Sequence, residues 1–96
     1  MNIQPKNIQK VPAFGREADL IEGLQTGDPI AFDEAYRKYH PVMLRVAAKY
    51  TSAAVAEDIA QEAWLAAIGA IASFEGRSSL KTWLCRIVIN KAFNTY

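Results

Sequence analysis

The chain has 96 residues, of which 51% are apolar, and a formal net charge of +1 at pH 7. This length supports one modest hydrophobic core, which excludes a two-domain organisation. One cysteine excludes an internal disulfide, and with a single histidine it leaves no plausible zinc site. No apolar run approaches the roughly 20 residues of a membrane span, and polar residues interrupt the apolar pairs near the N-terminus. We therefore expect a soluble, cytoplasmic protein without membrane insertion.

Residues 1–14 predict a flexible N-terminal tail, followed by one domain over residues 15–96. The tail contains Pro5, Pro12 and several amide side chains, and it shows no sustained helical period. A basic arm that touches nucleic acid is the alternative, but it would depend on Lys6 and Lys10 alone.

Two helices are predicted in the first half of the chain. The first covers residues 16–25 and ends at Gly27. The second begins at Pro29, capped by Asp28. It carries an apolar stripe at spacings of three and four: Phe32, Ala35, Tyr36, Tyr39, Met43, Val46, Ala47 and Tyr50. Pro41 lies inside this stripe, and the loss of its backbone donor predicts a kink or a break near it.

The third helix is predicted from Ala53 to about Ser73, capped by Thr51-Ser52. Its predicted core face consists of Ile59, Ala63, Ala66, Ala67, Ala70 and Ile71. The opposite face carries Asp58, Gln61, Glu62, Leu65 and Gly69. An apolar side chain with a polar rim is typical of a small protein-binding patch, although a single exposed leucine is also ordinary. A glycine in a helix interior further predicts a close backbone approach at Gly69.

The loop over residues 73–79 separates opposite charges. No Lys or Arg lies between Lys49 and Arg77, and no Asp or Glu follows Glu75. In the fourth helix, capped by Ser78 or Ser79, the predicted core stripe is Leu80, Leu84, Ile87 and Val88. A second arc consists of Ser79, Thr82, Trp83, Arg86, Asn90 and Phe93. Cations, amides and aromatic rings on one surface are typical of binding to single-stranded nucleic acid. Burial of Trp83 in the core is an equally good interpretation of the arc alone.

No catalytic motif is present in the chain. It contains no Gly-rich phosphate loop, no nucleophile elbow and no cluster of histidine with carboxylates. His40 is interpreted as a partly exposed helix residue, and Cys85 as a small packing residue. We therefore expect a protein that is not an enzyme and that needs no cofactor.

The order and spacing of these motifs resemble conserved region 2 of the extracytoplasmic-function (ECF, group 4) sigma factors of bacterial RNA polymerase. The family pattern is matched by residues 56–65 (AEDIAQEAWL) and 73–90 (SFEGRSSLKTWLCRIVIN). Residues 19–21 and 31–39 are similar to the family's first helices. The resemblance covers about residues 18–96, and it implies a compact all-α bundle of about four helices.

The resemblance also implies two binding surfaces and their residues. The positions that would bind the coiled coil of the β′ clamp in core RNA polymerase are Asp58, Gln61, Glu62 and Leu65. In the family, the loop and the following helix recognise and melt the promoter −10 element, and a nontemplate-strand base flips into a pocket. Phe74 and Asn90 would line that pocket. The other implied DNA contacts are Gly76, Arg77, Ser78, Ser79, Lys81, Trp83, Arg86 and Lys91. An anti-sigma factor that covers the same surfaces is a further expected partner.

Three features depart from the family pattern. Many members have an aromatic and a basic residue where this chain has Ile68 and Gly69. Glu75 occupies a position that is often Arg, Lys or Asp, which leaves the preferred base open. Members continue into a helix-turn-helix region 4, whereas this chain stops at Tyr96, so we expect one domain of a longer protein, with a natural single-domain protein as the alternative. The alternative function, from a different class, is a helical protein-interaction module without nucleic-acid binding, in which Phe74 and Trp83 belong to the core.

Overall fold

The computed structural model describes residues 13–94, which form an all-α bundle. Its four α-helices are α1 (Glu17–Gln25), α2 (Pro29–Ala48), α3 (Ala53–Ala70) and α4 (Leu80–Asn94). A 3₁₀ turn, Ile71–Ser73, extends α3 towards the loop. Helix α2 packs against α1, α3 and α4, and α3 packs against α4. The predicted fold class is confirmed. No helix within residues 13–94 is both long and apolar enough to cross a membrane.

The predicted N-terminal tail lies mostly outside the described residues. Within them, Phe14 is half-buried and packs against the hydrophobic core. The backbone N–H of Ala13 donates a hydrogen bond to Oε1 of Glu34, 2.6 Å away. The division of the chain at residue 14 stays a prediction.

The turn between α1 and α2 is defined by hydrogen bonds at both helix ends. The N–H of Gly27 donates to the carbonyl of Leu24 (3.2 Å), and the N–H of Asp28 donates to the carbonyl of Gly23 (2.9 Å). This pattern closes a helix when the residue after its cap is left-handed, and Gly27 has φ of 79°. The carboxylate of Asp28 then accepts from the N–H of Ile30 at 2.9 Å, which begins α2 as predicted.

Helix α2 is continuous through Pro41. Of the two predicted outcomes near Pro41, the break is therefore wrong, and the kink stays a prediction. Proline removes one backbone donor, but the three helices that pack against α2 hold the chain helical on both sides of it. Tyr39 and Met43, which flank Pro41 on the apolar stripe, are both buried.

Small side chains make up much of the core. Its buried alanines are Ala31, Ala35, Ala47, Ala56, Ala60, Ala63, Ala67 and Ala92. The larger buried side chains include Leu20, Tyr39, Met43, Ile59, Trp64, Leu80, Leu84 and Val88. The predicted stripe of α4 is confirmed at three positions, and Ile87 packs against the core while partly exposed. On α3 the buried face is rotated from the prediction: Ala66 and Ala70 are partly exposed, and Trp64 is buried.

The close helix approach occurs at Gly23 and not at Gly69. A Cβ on Gly23 would lie 2.7 Å from the Cβ of Ala31 and 3.2 Å from the ring of Phe14. Around Gly69, which is exposed, such a Cβ would meet no described atom within 4 Å. The predicted close approach at Gly69 is therefore wrong, because this position lies on the outer face of α3.

Glu17 connects three helices. Its Oε2 accepts from the N–H of Leu80 at the start of α4 (3.0 Å), and its Oε1 accepts from the Tyr39 hydroxyl (3.4 Å). Burial raises the pKa of the Tyr39 phenol above its ordinary value, and the Glu17 carboxylate raises it further. The neutral phenol is thus the form that donates to Glu17.

Substitution of the two glycines by alanine should change stability in opposite directions. Gly23→Ala forces α1 away from α2, which we expect to lower the free energy of unfolding by about 1–3 kcal/mol. Gly69→Ala adds a better helix former in open space, which we expect to raise it by about 0.5–1 kcal/mol. Chemical denaturation of both variants measures the two effects, and equal shifts in the same direction would contradict the packing described for α1.

Candidate functional site

The loop between the 3₁₀ turn and α4 is held at its C-terminal end by Ser79. The Oγ of Ser79 accepts from the N–H of Thr82 at 3.1 Å and donates to the Thr82 hydroxyl at 3.0 Å. This is the N-cap of α4, one of the two predicted alternatives. Gly76 lies in the middle of the loop with φ of 77°, a conformation that favours glycine.

An open cavity of about 170 Å³ lies between the loop and α4. It is lined by Ser73, Phe74, Glu75, Arg77, Ser78, Trp83 and Arg86. The rings of Phe74 and Trp83 form one wall, with their centroids 5.0 Å apart. Arg77 pairs with Glu75 at 2.8 Å, and both side chains are largely exposed. The exposed Arg86 forms no ion pair with any other residue in the 13–94 segment.

The cavity brings together five of the residues predicted to contact DNA. These are Phe74, Arg77, Ser78, Trp83 and Arg86. Gly76 shapes the loop, and Ser79 caps α4. Lys81 and Asn90 are exposed on α4, and Lys91 is partly buried. Asn90 follows Arg86 by one helical turn and does not line this cavity.

Trp83 packs against the core and also faces the loop cavity, so its position is compatible with both interpretations given above, core packing and nucleic-acid binding. The ring is partly buried and packs against the core. It also lines both the loop cavity and a second, apolar cavity of about 180 Å³. Phe74 likewise packs against the core while it faces the loop cavity. Both aromatic side chains are thus anchored by core contacts and still present part of their surface to the loop.

The four residues predicted to bind polymerase are all exposed on one face of α3. Asp58, Gln61, Glu62 and Leu65 recur at helical spacing, and Leu65 is 71% exposed. Ile68, 52% exposed, continues this face to the mouth of the apolar cavity. The prediction that these four side chains lie on the exposed side of α3, away from the core, is confirmed.

A hydrogen-bonded aromatic cluster, formed by Tyr36, His40 and Trp64, lies beneath the polar part of that face. The indole N–H of buried Trp64 donates to Nδ1 of His40 at 3.0 Å. The rings of His40 and Tyr36 are stacked at 4.4 Å. Because an indole N–H only donates, His40 Nδ1 must be an acceptor. In the neutral ring the proton therefore lies on Nε2, which is 3.2 Å from Oε2 of Glu57.

Gln61 joins this cluster to the exposed surface. Its side-chain amide donates to the Tyr36 hydroxyl at 2.9 Å and to Oε2 of Glu57 at 3.1 Å. These contacts of His40 could not be predicted from local sequence patterns, because its partners Glu57 and Trp64 lie 17 and 24 residues away in the chain. The spacing of Tyr36 and His40, four residues apart within a helix, was the available local signal.

Cys85 behaves as a packing residue. It is partly buried, and burial raises the pKa of its thiol above the usual value, although the charge of Lys81 acts in the opposite direction. A thiol that stays protonated is a poor nucleophile and metal ligand. Among the described residues, no group of three or more His, Cys, Asp or Glu side chains could hold a metal ion.

Comparison with known proteins identifies the class of this fold. The family described as Sigma-70 region 2 matches residues 35–96. This chain belongs to the sigma-70 region 2 family. A solved structure of an engineered region 2 of sigmaE, in complex with GTAAAA, is similar with a TM-score of 0.77 and 31% identity, and the match covers 83% of this chain and 84% of that one.

Individual relatives are named as sigma factors. RNA polymerase sigma-H factor of Pseudomonas aeruginosa is 40% identical over 80 residues, which are 82% of this chain and 42% of the relative. ECF RNA polymerase sigma-E factor of Escherichia coli K12 is 36% identical over 75 residues, 78% of this chain and 39% of the relative. The chain thus spans about two-fifths of the length of these curated relatives.

The bond between Trp64 and His40 should be measurable by a double-mutant cycle. His40→Phe leaves the indole N–H without its acceptor, which we expect to cost about 1–3 kcal/mol of unfolding free energy. In the Trp64→Phe background the same change should cost less, with a coupling energy of at least roughly 0.5 kcal/mol. Denaturant unfolding of the four proteins gives this coupling, and strictly additive effects would contradict the bond.

Proposed function

We propose that this domain acts in transcription initiation as region 2 of an ECF sigma factor, recognising and melting the promoter −10 element. The observation that carries the proposal is the loop cavity, in which two aromatic rings and two guanidinium groups surround an open space. Aromatic faces stack on unpaired bases, and cations neutralise phosphates. The similar sigmaE region 2, solved with the hexanucleotide GTAAAA, supports this assignment.

A base flipped out of the nontemplate strand is the proposed occupant of the loop cavity. Extrusion of a base costs a few kcal/mol, which stacking and hydrogen bonds in the receiving pocket must offset. The Phe74–Trp83 wall offers the stacking surface. Ser78 and the loop backbone offer hydrogen-bonding groups. Gly76 and Ser79 in the loop, and Asn90 on α4, are the other residues proposed to contact DNA. Phosphates of the strand would then contact Lys81, Arg86 and Lys91.

The outer face of α3 is the proposed contact with core RNA polymerase, through the coiled coil of the β′ clamp. Asp58 and Glu62 supply negative charge, Gln61 supplies a polar group, and Leu65 supplies an exposed apolar anchor. The hydrogen bonds of Gln61 to Tyr36 and Glu57 fix its orientation before any partner binds. In this role the domain performs no catalysis, since polymerase carries out the chemistry.

An anti-sigma factor is a further proposed partner. The apolar surface of Leu65 and Ile68, at the mouth of the apolar cavity, would be one part of its contact. This surface is also compatible with the alternative function, a protein-interaction module without nucleic acid. Direct binding to single-stranded DNA distinguishes the two functions.

Binding of labelled GTAAAA and its complement TTTTAC, measured by fluorescence anisotropy across a salt series, tests the DNA role. We expect tighter binding of GTAAAA, with affinity that falls as salt rises because counterions are released. Arg86→Ala should weaken both complexes and reduce the salt slope by about 0.7, the contribution of one cation on a single strand. Arg37→Ala, which removes the same charge from the exposed surface of α2, is the matched control and should leave the slope unchanged.

Two outcomes would contradict the DNA role. One is equal binding of GTAAAA and its complement, and the other is the absence of a salt slope. With the domain folded, equal and salt-dependent binding of both strands would contradict recognition of the −10 element, and the absence of salt-dependent binding would favour the protein-interaction module.

Charge reversal on α3 tests the polymerase role. Asp58→Arg combined with Glu62→Arg should abolish pull-down of the β′ clamp coiled coil. Thermal stability should stay nearly unchanged, because both side chains are exposed. The matched control compares pull-down by two single variants, since Glu22 carries the same charge on an exposed position of α1. Glu62→Arg should weaken pull-down, and Glu22→Arg should not. Pull-down that persists in the double variant would refute the assigned face.

A further inference from the structure

The two ends of the recognition loop, residues 74–79, are both bound to helix α1 by side chains. At the N-terminal end, the amide Nε2 of Gln25 donates to the carbonyl of Ile71 (3.1 Å) and to the carbonyl of Phe74 (3.0 Å). At the C-terminal end, the carboxylate of Glu17 accepts from the N–H of Leu80 (3.0 Å). These contacts join residues between 46 and 63 positions apart in sequence.

Gln25 and Glu17 each carry the functional group that their backbone partners require. The amide NH₂ of Gln25 has two hydrogens, one for each carbonyl, whereas its amide oxygen can only accept, so the orientation of the side chain is determined by its partners. Its acceptors are the first carbonyl of the 3₁₀ turn and the carbonyl that leads into the loop. Glu17 places negative charge at the N-terminus of α4, where free N–H groups and the helix dipole favour it.

Helix α1 therefore spans the two ends of the loop. Glu17 and Gln25 are its first and last residues, and eight steps of 1.5 Å separate them by about 12 Å along the helix axis. Phe74 packs against the core, but the contacts of residues 75–78 given by the structure are local: the Glu75–Arg77 pair is exposed to solvent, and the Ser78 hydroxyl donates to the neighbouring carbonyl of Ser79. Exposed ion pairs contribute little stability, so the ends carry most of the restraint.

We propose that Gln25 is a positioning residue for DNA recognition, which holds Phe74 and the loop entry in the geometry that accepts an unpaired base. This inference rests on the proposed function of the loop. Gln25 touches the backbone of Phe74, whose ring forms the cavity wall with Trp83. A loop that is ordered before binding loses less conformational entropy when the strand binds. Loss of Gln25 should therefore weaken the specific complex more than the non-specific one.

Gln25→Met tests the inference, because methionine has similar length and no charge but cannot donate. We expect affinity for GTAAAA to fall about tenfold, the scale of two lost neutral hydrogen bonds. Affinity for a permuted hexamer of the same composition should stay nearly constant, so that the ratio of the two affinities falls. Gln25→Glu, which places a carboxylate against two carbonyls, should reduce the ratio further. The measurement is fluorescence anisotropy at fixed salt.

Thr26→Val is the matched control. The Thr26 hydroxyl donates to the carbonyl of Gly23 at 3.1 Å, so this variant removes a neighbouring bond of similar length that lies wholly within the end of α1. It should keep the wild-type ratio of affinities, even where it lowers the melting temperature. The inference would be overturned if Gln25→Met kept the wild-type ratio of affinities. It would also be overturned if Gln25→Met and Thr26→Val both lost affinity only in proportion to their loss of melting temperature.

Hydrogen exchange separates this inference from the proposed function. In Gln25→Met, amide exchange at Gly76, Arg77 and Ser78 should be faster without DNA, while exchange in Thr26→Val should match the wild type at these positions. Faster exchange together with a wild-type protein that binds neither hexamer would mean that α1 restrains the loop and that the DNA role is wrong. Unchanged exchange in Gln25→Met would overturn the restraint itself.

Discussion

The close contact of α1 with α2 at Gly23 is the constraint on which the rest of the structure depends. A Cβ at this position would lie 2.7 Å from Ala31, so only glycine lets the two helices meet at this distance. In that position, α1 brings Glu17 to the start of α4, and Gln25 to the first carbonyl of the 3₁₀ turn and to that of Phe74 after it. A helix with only two buried residues, Leu20 and Gly23, thereby contacts both ends of the loop that joins the 3₁₀ turn to α4.

Small side chains in the core also determine how the two proposed binding surfaces, on α3 and α4, lie relative to each other. Alanines on α2 and α3 allow the helices to approach closely, and larger residues such as Ile59, Leu80 and Leu84 fill the remaining space. Because α3 packs directly against α4, the acidic outer face of α3 and the cationic face of α4 belong to one packed core. A strand bound at the loop and a partner bound at α3 would therefore have a fixed relative orientation.

Local patterns predicted the helices and the exposed face of α3, and they failed where the deciding contact is distant in sequence. Apolar spacing and caps such as Asp28 and Ser52 are local signals, and they determined the helix bounds. Trp64 follows the helical spacing of buried Ala60 and Ala67, but its hydrogen bond could not be predicted from that period, because the acceptor His40 lies on another helix. The same limit applies to Gln25, whose two acceptors lie 46 and 49 residues away. The predicted break near Pro41 and the predicted close approach at Gly69 were wrong, because residue type alone does not reveal the surrounding packing.

Trp83 shows how the core and the candidate site share a single side chain. One part of the ring lines the apolar cavity beside Ile68 and Leu80, and another part lines the loop cavity beside Phe74. Interior side chains occupy well-packed positions, so a shift on one side of the ring changes the space on the other. The aromatic wall available to an unpaired base is consequently set by packing between α1, α3 and α4, and not by the loop sequence alone. Base preference should for this reason depend on residues that never touch the strand, with Gln25 as the first example.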